Sequence, residues 1–411
     1  MTRLDPKRHE WIAAPATRKL MEALGGNARF VGGAVRNALL DKPVSDIDIA
    51  TPLTPDRVQA LLAAAGIHFV PTGIEHGTIT AVVEGKPYEI TTLRRDVETD
   101  GRHAIVAFSG DYAEDAQRRD FTMNALYAAA DGEVFDYTGG VEDLRAGRVR
   151  FVGDAVTRIR EDYLRILRLF RFHAWYGKGE IGAEALRAAA QEKAGIAKLS
   201  GERVAKEMLR LLEAENPVPV LRLMAAGSIL AEVLPGKVNI ARLERLAGID
   251  AANFFAPDAL LRLAALLEHD KALAGWVADR WKLSNEARGR LSNLVSAGEK
   301  IVSYISIREA RKLLYRLDVR PFKDRVFLKW AEDAKLSNAT QWRALLALAD
   351  AWERPRFPLG GHDVMRAGVP KGPLVGRILA EVEEWWIDSD FTDDEFSLAE
   401  RLKAVVQAVA Y

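Results

Sequence analysis

Two patterns of apolar and polar residues divide the chain. Up to about residue 150, apolar and polar residues alternate over short stretches, as in 70–73 with 76–83 and in 88–93, which predicts β-strands with helices between them. From about residue 154 to the end, leucine, alanine, arginine and glutamate recur with helical spacing. The pattern therefore predicts an α+β fold, in which a head with a mixed sheet precedes an all-α remainder.

Proline and glycine positions suggest how the helical part is organised. Pro217, Pro235 and Pro321 are expected to lie at breaks between helices, and residues 354–373 carry four prolines and four glycines, which predicts an irregular connection. We expect a head at 1–150, a neck at 151–215, a body at 216–300 and a tail at 301–411.

Composition excludes several classes of protein. The 411 residues contain no cysteine, so disulfides, thiolate metal sites and thiol catalysis are excluded. No uninterrupted apolar run approaches twenty residues and the first ten residues lack an apolar signal core, so we expect no membrane partner and a cytoplasmic protein. Because the net charge is zero, any nucleic-acid contact must depend on local basic patches. The oligomeric state is not predicted.

The stretch 30–51 combines three features that suit nucleotide chemistry. Gly32 and Gly33 form a turn that allows positive φ and close approach of the backbone to phosphates. Arg36 follows, and then Asp46 and Asp48 stand two residues apart on an apolar strand, which points both carboxylates to one face. Two aligned carboxylates with phosphate oxygens suit Mg²⁺. Taken alone, the acidic pair is more typical of a solvated strand face.

This stretch resembles the active-site signature of the polymerase-β-like nucleotidyltransferases, in the class that includes CCA-adding enzymes and bacterial poly(A) polymerases. The resemblance assigns Gly32, Gly33 and Arg36 to nucleotide binding. It departs at Asn37, where the family usually has aspartate, so we expect weaker support for Arg36 near the triphosphate.

Residues 118–126 resemble the second motif of that family. The resemblance makes Arg119 a phosphate or sugar contact and Asp120 its orienting partner, and the fork of a guanidinium suits phosphate oxygens. Without the resemblance, a helix N-terminus with a surface ion pair would explain the same residues.

Residues 161–171 predict a helix with a polar face. At helical spacing Glu161, Asp162, Arg165 and Arg168 share an arc of roughly 120°. Asp162 and Arg165 could form a simple intrahelical ion pair. Alternatively, a carboxylate that accepts beside a guanidinium that donates fits the edges of adenine and cytosine and mismatches guanine and uracil.

The same stretch resembles the family motif that acts as an amino-acid template for the incoming base. This resemblance assigns Asp162 and Arg165 to base recognition and Arg168 and Arg171 to neighbouring nucleotide contacts; Arg171 depends on the resemblance alone. Residues 199–209 resemble a further motif, in which Glu202, Arg203 and Glu207 could support the template helix by ion pairs. A structural helix start would explain that segment equally well.

Three further segments carry open interpretations. Glu89 is either a third carboxylate, near the attacking hydroxyl, or a surface residue. Residues 95–108 predict a loop around Gly101; in the family a loop here is associated with switching from cytosine to adenine, and its full length favours complete CCA addition. Residues 308–329 carry eight basic and three acidic side chains and form either a cationic helix pair for RNA or an ordinary solvated helix. The acidic stretch 381–395 is expected to face away from RNA.

Together the resemblances imply a CCA tRNA nucleotidyltransferase that uses CTP and ATP on the tRNA 3′ end, with Mg²⁺ held by Asp46 and Asp48. A poly(A) polymerase shares every one of these motifs and stays an alternative. A non-catalytic RNA-binding relative is a second alternative, but it would be expected to have lost a carboxylate, and both are present here.

Overall fold

The computed structural model describes residues 2–73, 77–100, 103–296, 298–333, 335–392 and 394–409. Two compact units are present, one formed by residues 1–237 and 279–283 and the other by residues 238–278 and 284–411. The division into head, neck, body and tail stays a prediction.

The strands all belong to the first unit and confirm the mixed sheet. In chain order they are β1 (Arg29–Val31), β2 (Asp48–Thr51), β3 (His68–Gly73), β4 (Thr78–Val83), β5 (Lys86–Thr92), β6 (Arg94–Asp100), β7 (His103–Phe108), β8 (Leu126–Ala128) and β9 (Val134–Asp136). Within the described residues, seven of them form one sheet in the order β3-β4-β5-β2-β1-β8-β9, and β6 pairs with β7.

The centre of the sheet places the site. β1 and β2 are antiparallel, whereas β2 and β5 are parallel, with Asp48 opposite Glu89. Phe30 and Ile49 are partners in the register and are fully buried, so the apolar side of the strands anchors the polar residues at their ends. Glu84 and Gly85 both have positive φ and form the tight turn between β4 and β5, which suits the twist of a hairpin.

Helices fill the rest of the chain. They are α1 (Glu10–Ala13), α2 (Pro15–Ala23), α3 (Gly33–Leu39), α4 (Pro55–Ala64), α5 (Tyr112–Gln117), α6 (Gly140–Ala146), α7 (Ala155–Glu161), α8 (Leu164–Tyr176), α9 (Ala183–Glu192), α10 (Gly201–Leu212), α11 (Val218–Ala226), α12 (Leu230–Val233), α13 (Ile240–Asn253), α14 (Ala259–Leu267), α15 (Lys271–Arg280), α16 (Asn285–Val295), α17 (Ile307–Leu317), α18 (Val319–Glu332), α19 (Ala339–Asp350), α20 (Gly361–Arg366), α21 (Pro373–Asp388) and α22 (Glu395–Val409). Short 3-10 helices occupy Thr122–Asn124, Lys193–Lys198 and Leu336–Asn338.

Some local predictions are wrong. The predicted loop at 95–108 is largely the β6–β7 hairpin, although Gly101 and Arg102 lie outside the described residues. Pro321 does not separate two helices but lies in the first turn of α18. Backbone amides in the first turn have no carbonyl partner within the helix, so a proline there removes no helical hydrogen bond. The break comes three residues earlier, at Asp318, which has positive φ.

The second unit is helical and has its own core. Phe322, Trp342 and Leu346 lie in a buried cluster formed by α17, α18 and α19. Among the described residues of the whole chain, no helix combines the length and apolar character needed to cross a membrane.

Candidate active site

The diglycine turn connects β1 to α3. Gly32 has a φ of 67° and a ψ of −118°, a conformation that strongly favours glycine. A Cβ built on Gly32 would lie 3.7 Å from Nη1 of Arg119, so the second motif approaches this turn closely. The Gly32 amide donates to the Leu126 carbonyl at 3.1 Å and is therefore not free for a phosphate.

The two carboxylates of the signature stand at the beginning of β2. Asp48 is the first residue of the strand and Asp46 precedes the strand, where Ser45 donates a hydrogen bond of 3.0 Å to its Oδ2. Burial raises the pKa of Asp48 to about 6, and the charges of Glu89 and Asp46 act in the same direction, whereas Arg119 opposes them. The site therefore concentrates negative charge that a bound cation would neutralise.

The donor set fits a hard divalent cation that is completed by substrate. Within the described part of the chain, no group of three or more His, Cys, Asp or Glu side chains has the arrangement to hold a metal ion. Asp46 and Asp48 offer two carboxylates, and Mg²⁺ is typically bound by one or two carboxylates together with phosphate oxygens and water. Glu89 is exposed beside Asp48 in the sheet, and its role stays a prediction.

A pocket of about 280 Å³ opens beside these carboxylates. Its walls combine acidic, basic and aromatic side chains: Gly33, Arg36, Asn37, Val44, Ser45, Asp46, Asp48, Arg171, Trp175, Tyr176 and Arg210. The pocket thus brings the first motif together with Arg171 from α8, which the sequence placed only by resemblance. Trp175, Tyr176 and Arg210 were not predicted, because nothing local in their sequence distinguishes them from core and surface residues of a helix.

Arg36 is a buried cation with neutral partners. Its side chain, 8% exposed, donates to Oδ1 of Asn124 at 2.6 Å, to Oδ1 of Asn37 at 3.0 and 3.2 Å, and to the Tyr176 hydroxyl at 2.9 Å. Burial lowers the pKa of Arg36. Asn37 thus still supports Arg36, since its amide oxygen accepts two hydrogen bonds, but this partner carries no charge, which agrees with the expectation that the support is weakened and not removed.

Arg119 is held by a residue that the sequence analysis did not single out. Its Nε and Nη2 donate to Oδ2 of Asp115 at 3.1 and 2.9 Å, and Nε also donates to the Tyr127 hydroxyl at 3.1 Å. The expected partner, Asp120, instead accepts from Nε of Arg168 at 2.7 Å. The prediction that Asp120 orients Arg119 is therefore wrong. The spacing of four residues between Asp115 and Arg119 was the signal that could have found the pair.

The predicted helix over 161–171 is interrupted at its second residue. α7 ends at Glu161, Asp162 is extended with φ −155° and ψ 104°, and α8 begins at Leu164. Asp162 accepts from the Leu164 amide at 3.1 Å, a local side-chain bond that competes with helix continuation. The shared helical arc is therefore wrong for Asp162.

The proposed base-reading residues do not pair with each other. Oδ2 of Asp162 accepts from Nη2 of Arg203 at 2.7 Å. Arg165 donates to Glu161 at 2.5 Å and to the backbone carbonyls of Arg158 and Arg118 at 2.9 and 3.2 Å. The simple intrahelical pair of Asp162 and Arg165 is thus absent from the described residues, and each side chain is held separately.

α10 supports the segment 161–171 by ion pairs, as predicted, through two of the three residues. Besides Arg203, Glu207 is buried at 5% exposure and accepts from Nε of Arg171, while its other oxygen lies 3.6 Å from Nη1 of Arg168. The prediction for Glu202 is wrong, because this side chain pairs with Lys282 at 2.7 Å.

The basic stretch 308–329 forms a helix pair, α17 and α18, but its charges are largely matched within the second unit. Arg316 contacts Glu384, Lys312 lies 2.7 Å from Asp388, and Arg311 lies 2.8 Å from Asp390. In addition, Lys323 pairs with Asp350 at 2.6 Å. Three acidic residues of the stretch 381–395 thus lie against α17, and several of the basic charges on this helix are already paired in the described structure.

Comparisons with known proteins support the resemblance seen in the motifs. Residues 28–150 match the family described as "Poly A polymerase head domain", and residues 180–238 match "Probable RNA and SrmB- binding site of polymerase A". A protein of Mus musculus named "CCA tRNA nucleotidyltransferase 1, mitochondrial" is 33% identical over 391 residues, covering 91% of this chain and 86% of its own.

A bacterial relative and a solved structure cover still more of the chain. The "CCA-adding enzyme" of Leuconostoc mesenteroides subsp. mesenteroides is 31% identical over 407 residues, which is 97% of each chain. The crystal structure of the Bacillus stearothermophilus CCA-adding enzyme in complex with CTP aligns with a TM-score of 0.75 and 27% identity, over 97% of this chain and 98% of that one.

Proposed function

Since the chain belongs to the family of CCA-adding tRNA nucleotidyltransferases, we propose that it adds C, C and A to the 3′ end of tRNA from CTP and ATP without a nucleic-acid template. The observation that carries this proposal is the pocket that Asp46, Asp48, Arg36 and Arg171 line together. Carboxylates suited to a cation and guanidinium groups suited to phosphates are thus present in one pocket.

The reaction that these residues support is phosphoryl transfer. The 3′-hydroxyl of the tRNA attacks the α-phosphate of the nucleotide, a new phosphodiester forms, and pyrophosphate leaves. Nucleotidyltransferases of this family depend on a divalent metal, and we propose Mg²⁺ held by Asp46 and Asp48. When bound, it supplies charge neutralisation at the phosphates and acidifies the attacking hydroxyl.

The cations of the pocket take the triphosphate in this proposal. Arg36 has no carboxylate among its described contacts, so its charge is available to an anionic ligand, and Arg119 keeps one guanidinium nitrogen without a hydrogen bond to the described residues. Gly32 and Gly33 let the nucleotide approach the backbone. Glu89 contributes negative charge next to Asp48 and is our candidate third carboxylate.

Selection of the base is assigned to Asp162 and Arg165, with Asp120, Arg168 and Arg171 holding the surrounding nucleotide. The pairs with Arg203 and Glu161 leave capacity on both groups, because a carboxylate can accept about four hydrogen bonds and a guanidinium can donate five. In this proposal Asp162 accepts from the exocyclic amino group of cytosine or adenine, and Arg165 donates to the adjacent ring nitrogen. Guanine and uracil reverse that pattern.

The test is addition to a tRNA that ends before CCA, with each nucleotide supplied separately. We expect CTP to be incorporated first and ATP afterwards, whereas incorporation of AMP alone would favour the poly(A) polymerase. Asp46→Ala should abolish addition in the presence of Mg²⁺, and Asp56→Ala, an exposed acidic residue in α4, should not. Substantial turnover by the Asp46 variant would contradict the metal assignment. The cytoplasmic location stays a prediction, as does tRNA binding by the tail.

A further inference from the structure

Asp115 is the most completely buried carboxylate near the site, and the proposed function assigns it no role. It is 1% exposed and lies in α5. It accepts from Nε of Arg118 at 2.9 Å, from Nε and Nη2 of Arg119 at 3.1 and 2.9 Å, and from the Tyr127 hydroxyl at 2.7 Å. Three of these four hydrogen bonds go to Oδ2 and one goes to Oδ1, so the carboxylate is held through both of its oxygens.

One branch of this network leads to the phosphate side of the site. The two bonds to Asp115 fix the guanidinium of Arg119 in its plane and leave Nη1 without a hydrogen bond to the described residues. That nitrogen is the atom that lies 3.7 Å from the position of a Cβ on Gly32. Asp115 therefore aims the unbonded nitrogen of Arg119 at the diglycine turn.

The other branch leads to the base side. Arg118 is fixed by its Nε bond to the same carboxylate, and its backbone carbonyl accepts from Nη2 of Arg165 at 3.2 Å. Arg165 is the donor that the proposed function assigns to base recognition. Asp115 therefore helps to fix Arg118, whose backbone carbonyl accepts the hydrogen bond from Arg165.

We propose that Asp115 is a positioning residue that sets the phosphate-facing Arg119 and the base-reading Arg165 together from one buried carboxylate. This inference rests on the proposed function for the roles of Arg119 and Arg165, whereas the hydrogen bonds around Asp115 do not depend on that function. A displacement of about 1 Å from the productive geometry can lower a reaction rate by as much as 10²-fold. Loss of the support from Asp115 should therefore be visible in nucleotide binding and addition.

A second buried carboxylate of the same unit provides a matched control. Asp143, in α6, is 2% exposed and accepts from Arg148 at 2.9 Å, Arg150 at 2.8 Å and the Thr122 hydroxyl at 2.7 Å. It resembles Asp115 in burial and in its arginine partners, but none of its partners is assigned to the nucleotide. Replacing either carboxylate by asparagine should lower thermal stability.

The experiment compares Asp115→Asn, Asp143→Asn and the milder Tyr127→Phe with the parent, at a temperature where all are folded. CTP and ATP affinities are measured by equilibrium binding, and kcat and KM by addition to tRNA. For Asp115→Asn we expect KM and the dissociation constant for both nucleotides to rise by about tenfold, with greater misincorporation from GTP and UTP. Tyr127→Phe should show a smaller rise in KM, and Asp143→Asn should leave affinity and selectivity at parental values.

Two results would overturn the inference: an Asp115→Asn protein with parental nucleotide affinity and selectivity, or the same loss in Asp143→Asn. If Asp115→Asn does not fold, Tyr127→Phe decides instead, and parental affinity in that variant overturns the inference. A parent protein that binds CTP but adds nothing to tRNA would contradict the proposed function alone, because the binding comparison still tests Asp115.

Discussion

Replacing Asp48 by asparagine should make the metal-free protein more stable while abolishing nucleotide addition. Burial raises the pKa of Asp48 from 3.8 to about 6, helped by Glu89 and Asp46 and opposed by Arg119. A rise of about two pH units corresponds to ~3 kcal/mol at 1.36 kcal/mol per unit, which we take as an upper bound because the side chain is only partly buried. Asparagine keeps the shape and removes the charge.

The pH dependence gives the prediction its sign. The folded pKa of Asp48 lies above the unfolded value, so the folded state binds more protons between pH 3.8 and 6, and stability falls as the pH rises through this window. At pH 8 the charge of Asp48 destabilises the parent by its full amount. The unfolding temperature of Asp48→Asn should then be higher by about 4 to 10 °C, if about 2 to 3 kcal/mol of stability are recovered. Near pH 4 the two proteins should unfold together.

Thermal unfolding in EDTA at pH 4, 6 and 8 provides the assay, with Asp56→Asn as a control at an exposed acidic residue. Added Mg²⁺ should then stabilise the parent and leave Asp48→Asn unchanged, since only the parent retains both ligands. An Asp48→Asn protein that is no more stable than the parent at pH 8 in EDTA would contradict this prediction, as would a difference in stability that persists unchanged at pH 4.

Two further predictions concern the surroundings of the pocket, and a third concerns α17 of the second unit. Glu207→Gln should cost ~3–5 kcal/mol in denaturant unfolding, because it leaves Arg171 without its buried carboxylate and removes a second carboxylate from Arg168, whereas Glu202→Gln, at an exposed pair, should change stability much less. Asn37→Asp should neutralise the buried guanidinium beside it and raise the KM for CTP about fivefold with kcat unchanged, as steady-state kinetics would show. Arg316→Glu should weaken the second unit by ~1 kcal/mol through repulsion from Glu384 and leave the salt dependence of tRNA affinity at its parental slope.

The sequence predicted those parts of the fold and site that depend on short-range patterns. Alternation of apolar and polar residues identified the strands on either side of the turn at Glu84 and Gly85, and positive φ at Gly32 followed from the residue type. The α+β class and the family are confirmed by the structure and by the relatives. Each of these features is determined by residues that lie close together in the sequence.

Contacts between distant segments could not be predicted in the same way. Lys312 pairs with Asp388, more than seventy residues later, and no local pattern states which acidic residue meets which cation. The density of basic residues in 308–329 therefore did not reveal that several of these charges are paired within the second unit, and RNA binding by this stretch stays a prediction. The helix break at Asp162 was not predicted for a different reason. An aspartate inside a helical pattern can either continue the helix or cap the next one.

The arginines of the site differ in how their charges are balanced, and this bears on how a nucleotide is held. Arg119 rests on Asp115, Arg168 on Asp120, and Arg171 on Glu207, so these cations are fixed in place before any ligand arrives. In the described structure Arg36 has hydrogen bonds to neutral oxygens only, and burial lowers its pKa. A buried charge without a directly bonded counter-charge is costly, since Asp120 acts on Arg36 only through its charge and without a hydrogen bond, and a triphosphate in the adjoining pocket would supply a bonded anion. Binding energy at Arg36 would then come from relief of that cost, while the paired arginines contribute orientation.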